Sequence, residues 1–182
     1  VQLTLIKLFR LISDIRESVQ SKLLEQKVHP DGVIDEHVKF VTEESQRVKA
    51  TIAYETWTYG SSGSAAEKID FYQATKSSPI LVYISGGYWQ FLSGDISSYV
   101  VKPFHQSEIS TAIVDYDRAP RVTLPQIVDQ CVQATAKILE YAKNDETYLT
   151  APVAQGHGQS RTCFFKRLCS KEVPLATIFD FG

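Results

Sequence analysis

One stretch constrains the fold of this chain more than any other: Pro79-Ile80-Leu81-Val82-Tyr83-Ile84-Ser85-Gly86-Gly87-Tyr88-Trp89-Gln90. Its apolar half shows no alternation with polar residues, so it reads as a strand covered on both faces. The two glycines then let the backbone turn where side chains would obstruct it, leaving N–H groups accessible to a ligand. The rest of the chain has to supply helices for both faces of such a strand and neighbours for both of its edges.

Residues 1–27 carry Leu5, Leu8, Ile12, Ile15 and Val19 at steps of three and four, the pattern of one helical face. His29-Pro30-Asp31-Gly32 breaks that pattern, and a second helix is expected from about 33 to 49 with Ile34, Val38 and Val41 along one side. His29 and His37 read as surface or capping residues. From 48 to 59 the pattern shifts to alternation, Gly60-Ser61-Ser62-Gly63-Ser64 closes it, and Lys68-Ile69-Asp70-Phe71-Tyr72 forms a second strand, which together predict an antiparallel hairpin. A short helix is expected within 95–106, ended early by Pro103, with His105 on the surface. A buried strand at 111–116, an amphipathic helix at 124–142, a strand at 148–154, a helix at 161–170 and a last strand at 175–181 complete the series.

That alternation predicts an α/β fold: a doubly wound, mostly parallel sheet with an N-terminal antiparallel hairpin and N-terminal helices, its ligands at the carboxyl ends of the strands. Residues 1–47 are expected to form a helical segment packing on the sheet, and residues 48–182 a partial α/β domain. A net charge of −2 offers no basic field for nucleic acid. No apolar run approaches the roughly 20 residues needed to span a bilayer, and Lys7 and Arg10 interrupt the apolar start, which reads poorly as a signal peptide. Cys131, Cys163 and Cys169 are too few and too irregularly spaced for a disulfide framework or a zinc site, so a reducing, cytoplasmic setting without metal or cofactor is expected. The chain contains no methionine, so a complete translation product is not expected.

Gly86-Gly87-Tyr88-Trp89-Gln90, then Asp115-Tyr116-Asp117 with Ala119-Pro120, then Thr123-Leu124-Pro125-Gln126-Ile127-Val128, then Gly156-His157 resemble the kynurenine formamidases (arylformamidases) of the α/β-hydrolase superfamily. The likeness extends back through Glu36-His37-Val38-Lys39-Phe40-Val41 and Glu43-Glu44-Ser45, so it covers about 33–182. Gly-Gly-Tyr-Trp is fairly specific for that family, whereas Asp-Tyr-x-x-Ala-Pro is shared with the hormone-sensitive-lipase-like carboxylesterases. The resemblance implies hydrolysis of N-formylkynurenine to kynurenine and formate in tryptophan catabolism, with no cofactor. It also implies an oxyanion hole of backbone donors at Gly86, Gly87 and Gln159, and a substrate-binding role for Tyr88 and Trp89. Ser85 stands where the family pattern has a histidine before the two glycines.

Family members carry their nucleophile in Gly-His-Ser-Ala-Gly, and this chain has Gly156-His157-Gly158-Gln159-Ser160. The nucleophile position is therefore Gly158, which has no side chain. No histidine follows His157, and Glu172 and Asp180 are the only later acids. The substitutes to weigh are Ser160, should the elbow slide by two residues, and Ser85, which otherwise reads as a hydroxyl capping its turn. Cys163 reads as a small buried hydrophobe. Three alternatives stay open at this point: a hydrolase using a displaced serine, a catalytically inactive pseudoenzyme binding a small aromatic formamide, a kynurenine-like ligand or a protein partner, and a truncated fragment. The first of these includes a carboxylesterase of the hormone-sensitive-lipase type. A homo-oligomer is compatible with each.

Overall fold

The computed structural model of the chain describes residues 32–76, 78–144 and 176–179, the last as backbone. The chain divides between Phe40 and Val41 into two units. Helix α1, Val33–Thr51, starts in the first and ends in the second. In the second unit its buried positions are Val41, Ser45 and Val48, steps of four and three, whereas Ile34 is exposed. The alternation read from 48 onward is therefore corrected: Val48 continues the helical stripe, and the Thr51 hydroxyl closes the last turn by donating to the Arg47 carbonyl at 2.8 Å. Residues of mixed character at a helix end satisfy both periodicities, and a full turn of backbone hydrogen bonds decides between them.

Strand β1 is accordingly short, Glu55–Thr58, and pairs antiparallel with β2, Lys68–Tyr72, through the expected glycine-serine connection. Strand β3, Ile80–Ile84, is buried at every position, which is why its sequence shows no alternation. It pairs in parallel with β4, Ser110–Val114, and β4 pairs antiparallel with β2. On its other edge β3 pairs in parallel with β5, Ala176–Phe179, so the sheet order is β1-β2-β4-β3-β5. The organising strand thus lies between two parallel neighbours. The N-terminal helix read at 1–27, the strand at 148–154 and the helix at 161–170 lie outside the described residues.

Between β3 and β4 the chain makes two 3₁₀ turns, Gly94–Ile96 and Ser98–Val100, and then helix α2, Val101–Gln106. Pro103 does not cut this helix short. It sits in the first turn, where the N–H that proline lacks has no intrahelical acceptor anyway. Helix α3, Leu124–Asn144, packs against β4 and buries Ile127, Cys131, Ala134 and Ile138, which recur at steps of four, three and four. These meet Ile80, Val82 and Ile84 of β3, and Ala112 and Val114 of β4, in one apolar cluster. Alternation along the strands sends Leu81, Tyr83, Thr111 and Ile113 to the opposite face. There the Tyr83 and Tyr99 hydroxyls lie 3.2 Å apart, and the Tyr99 N–H donates to Ser45 of α1 at 3.0 Å. Trp57 extends the cluster on the α3 side by stacking on Phe71, with ring centroids 4.5 Å apart.

Cys131 lies at the centre of that cluster, and burial pushes its thiol up to about 12. Only the thiolate is an effective nucleophile, so iodoacetamide at pH 8 is expected to leave Cys131 unmodified in the folded protein and to alkylate it after urea unfolding, read by peptide mass spectrometry. Alkylation of Cys131 under native conditions, at the rate of the unfolded chain, would contradict this packing.

Candidate functional site

The carboxyl ends of β3 and β4 lie side by side, in register from Ile80 opposite Ser110 to Ile84 opposite Val114. The segments leaving these two strands hold the candidate site residues that the structure describes. After β3 come Ser85, Gly86 and Gly87, all buried. Gly87 has φ 107°, and its carbonyl accepts both the Gln90 N–H at 3.0 Å and the Phe91 N–H at 2.8 Å, so the chain doubles back at once. A Cβ at Gly87 would lie 2.7 Å from the Phe91 carbonyl carbon and 3.1 Å from Leu92 Cγ. Glycine is required here twice over, by torsion and by space. Among the described residues neither Gly86 nor Gly87 donates its N–H to any acceptor. Buried backbone donors at the carboxyl edge of a parallel sheet, without an acceptor among the described residues, suit an anion or a polarised carbonyl oxygen.

Two further residues of the loop hold left-handed torsions, Tyr88 at φ 51° and Trp89 at φ 65°. Each costs on the order of 1 kcal/mol for a side chain of this kind, a cost sustained only where surrounding contacts impose it. The two aromatic residues expected to bind substrate part company here. Tyr88 is 71% exposed, while Trp89 packs on the core cluster, with its ring centroid 6.3 Å from that of Tyr116. Tyr88 is therefore the ring with a free face, and Trp89 anchors the loop.

The segment after β4 braces this loop. The Tyr116 hydroxyl donates to the Ser85 carbonyl at 2.8 Å, and the Ala119 N–H donates to the Trp89 carbonyl at 2.9 Å. Burial pushes the Tyr116 phenol above its usual range, which keeps it a donor. Arg118 donates through Nη2 to Asp115 Oδ1 at 2.6 Å and to Ser85 Oγ at 3.3 Å, and through Nη1 to the Tyr116 carbonyl, with its guanidinium 4.9 Å from the Tyr116 ring centre. Asp115 Oδ1 also accepts the Tyr116 N–H at 3.0 Å. Arg118 Nε is buried without a partner among the described residues. An unsatisfied buried donor costs about 1–3 kcal/mol, so the other contacts of this side chain must outweigh that. Next to it, the Asp117 carboxylate accepts from Ser64 at 2.7 Å and from Gln130 at 2.9 Å, which fastens the same segment to β2's approach and to α3.

The sequence points to Ser85, Gly86, Gly87, Tyr88 and Trp89, and the structure sets all of them in this one loop. Ser85 Oγ has Arg118 as its partner among the described residues, and a guanidinium cannot serve as a general base, so the structure gives Ser85 the surroundings of a tethered hydroxyl. The elbow positions Gly158, Gln159 and Ser160 lie outside the described residues. Arg118 escapes a reading by sequence motif. Its signal is the i, i+3 spacing from Asp115 directly after a buried strand, too common in turns to stand out by itself. Among the described residues no group of three or more histidine, cysteine or carboxylate side chains could hold a metal, and no helix is long and apolar enough to cross a membrane.

No protein-family model matches the chain. Among curated proteins it is similar to the kynurenine formamidase of Salmo salar, 28% identical over 135 residues, and to that of Danio rerio, 29% identical over 136 residues. Each match covers 72% of this chain and 46% of the relative, so the chain spans about half the length of the curated relatives it matches. Among solved structures, it superposes on the bacterial heroin esterase with a TM-score of 0.59 at 16% identity, over 88% of this chain and 55% of the other. Esterase LipW from Mycobacterium marinum gives a TM-score of 0.59 at 12% identity, over 81% and 49%. At such identities these two structures speak for the fold.

Proposed function

We propose that this chain, a homologue of the kynurenine formamidases carrying part of an α/β-hydrolase fold, binds the carbonyl of a small aryl formamide or kynurenine-like ligand at the loop after β3 without turning it over. The observation that carries the reading is a contrast. The turn after β3 that would carry the donors is held at Gly87 by both torsion and space, while the sequence has Gly158 where the family pattern carries the attacking hydroxyl. Backbone donors recognise a polarised carbonyl whatever happens at the nucleophile, and the exposed Tyr88 ring offers a face for an aromatic ligand. By analogy with a serine protease, loss of the nucleophile alone lowers turnover by on the order of 10⁶. The reading carries with it the reducing, cytoplasmic setting expected from the number and spacing of the cysteines.

The test has two arms. Kynurenine at millimolar concentration is expected to raise the melting temperature, because a ligand that binds only the native state stabilises it by mass action. A fluorophosphonate probe is expected to leave no adduct on Ser85 or Ser160 after peptide mapping, and N-formylkynurenine is expected to remain unhydrolysed. No thermal shift with kynurenine would remove the binding reading, and an adduct on either serine together with hydrolysis would restore an enzyme.

A further inference from the structure

We infer that Arg118 is a positioning residue for the loop after β3, and that it acts through Ser85. The inference rests on reading that loop as the donor loop of the site. Backbone and side-chain hydrogen bonds and ring packing join the loop to the segment after β4. Among these contacts, Arg118 reaches the side chain of the residue entering the turn, from Nη2 to Ser85 Oγ at 3.3 Å. Its guanidinium is fixed before it reaches Ser85. The Asp115 carboxylate at 2.6 Å, the Tyr116 carbonyl and the face of the Tyr116 ring all hold it. Asp115 in turn is seated against Gly94, where an added Cβ would lie 2.7 Å from Asp115 Cβ. A planar fork held in this way carries the geometry of the rigid β4 end across to Ser85, and with it to Gly86 and Gly87.

A residue filling space alone would affect β4 and the loop alike, whereas a positioning residue affects the loop selectively. Hydrogen exchange of the full chain, read by mass spectrometry, separates the two. Arg118→Lys keeps the charge beside Asp115 but replaces the rigid fork, which reaches its acceptors from two separate nitrogens, with a single ammonium on a flexible stem. The expected result is exchange about tenfold faster in a peptide covering residues 85–92, with exchange over 110–114 unchanged. Ser85→Ala is expected to loosen the same peptide, and the double variant to loosen it no more than Arg118→Lys alone, since the two side chains act as one unit. Unchanged exchange over 85–92, equal acceleration over 85–92 and 110–114, or additive effects in the double variant would each overturn the inference. The readout needs no ligand. A chain that fails to bind kynurenine yet shows the local loosening defeats the proposed function and leaves the positioning role standing, and the converse result does the reverse.

Discussion

Replacing Asp115 with alanine is expected to destabilise the protein by about 3–5 kcal/mol. Asp115 is 4% exposed, and its Oδ1 accepts from both Arg118 Nη2 and the Tyr116 N–H. The Arg118 side chain is itself only 18% exposed. Removing the carboxylate strands a guanidinium that water cannot fully reach, and leaves a buried backbone donor without its acceptor. The cost is that of an uncompensated charge more than the worth of the pair. Asp115→Ala combined with Arg118→Met is therefore expected to be more stable than Asp115→Ala alone, by about 2 kcal/mol. Urea unfolding monitored by circular dichroism reads both numbers, provided the slope of the transition stays constant. A single-variant loss below about 1 kcal/mol would mean that the pair is more solvated than its burial indicates.

The parts of the fold legible in the sequence are those where a single periodicity applies. The apolar run of β3 announces a strand covered on both faces, and the spacing of Ile127, Val128, Cys131, Ala134, Ile138 and Tyr141 announces the core-facing side of α3; the structure has both, with Val128 and Tyr141 only half-buried at the edge of the cluster. Where two periodicities overlap, at 48–51, the sequence reading errs, since the choice rests on whether a helix already under way is continued. Pro103 misleads for a related reason: proline breaks a helix or begins one depending on where the first turn falls, and the two preceding 3₁₀ turns decide that. The site shows the same division. Gly87 is readable because backbone geometry demands it. The opposite fates of Tyr88 and Trp89 are not, because they follow from which ring the Asp115–Pro120 segment meets, a contact between residues far apart in the chain. The bracing by Arg118 is hidden in the same way, being a property of two strand ends brought side by side.

Gly87→Ala provides the second large effect, and a comparison within the chain separates its two causes. Gly63 also has positive φ, 79°, but an added Cβ there would meet nothing within 4 Å, so Gly63→Ala bears torsional strain alone and is expected to cost about 1 kcal/mol. Gly87 combines φ 107° with a Cβ position 2.7 Å from the Phe91 carbonyl carbon, a backbone atom held there by the Phe91 N–H to Gly87 carbonyl bond at 2.8 Å. The new methyl group cannot be accommodated by rotating a side chain. The turn from 87 to 91 has to open, and Gly87→Ala is expected to cost about 2–4 kcal/mol. Because that opening moves the N–H groups of Gly86 and residue 87, the kynurenine-dependent thermal shift should vanish in Gly87→Ala and persist in Gly63→Ala. Equal stability losses in the two variants would show that the turn yields freely, and the donor loop would then lack the rigidity on which carbonyl recognition depends.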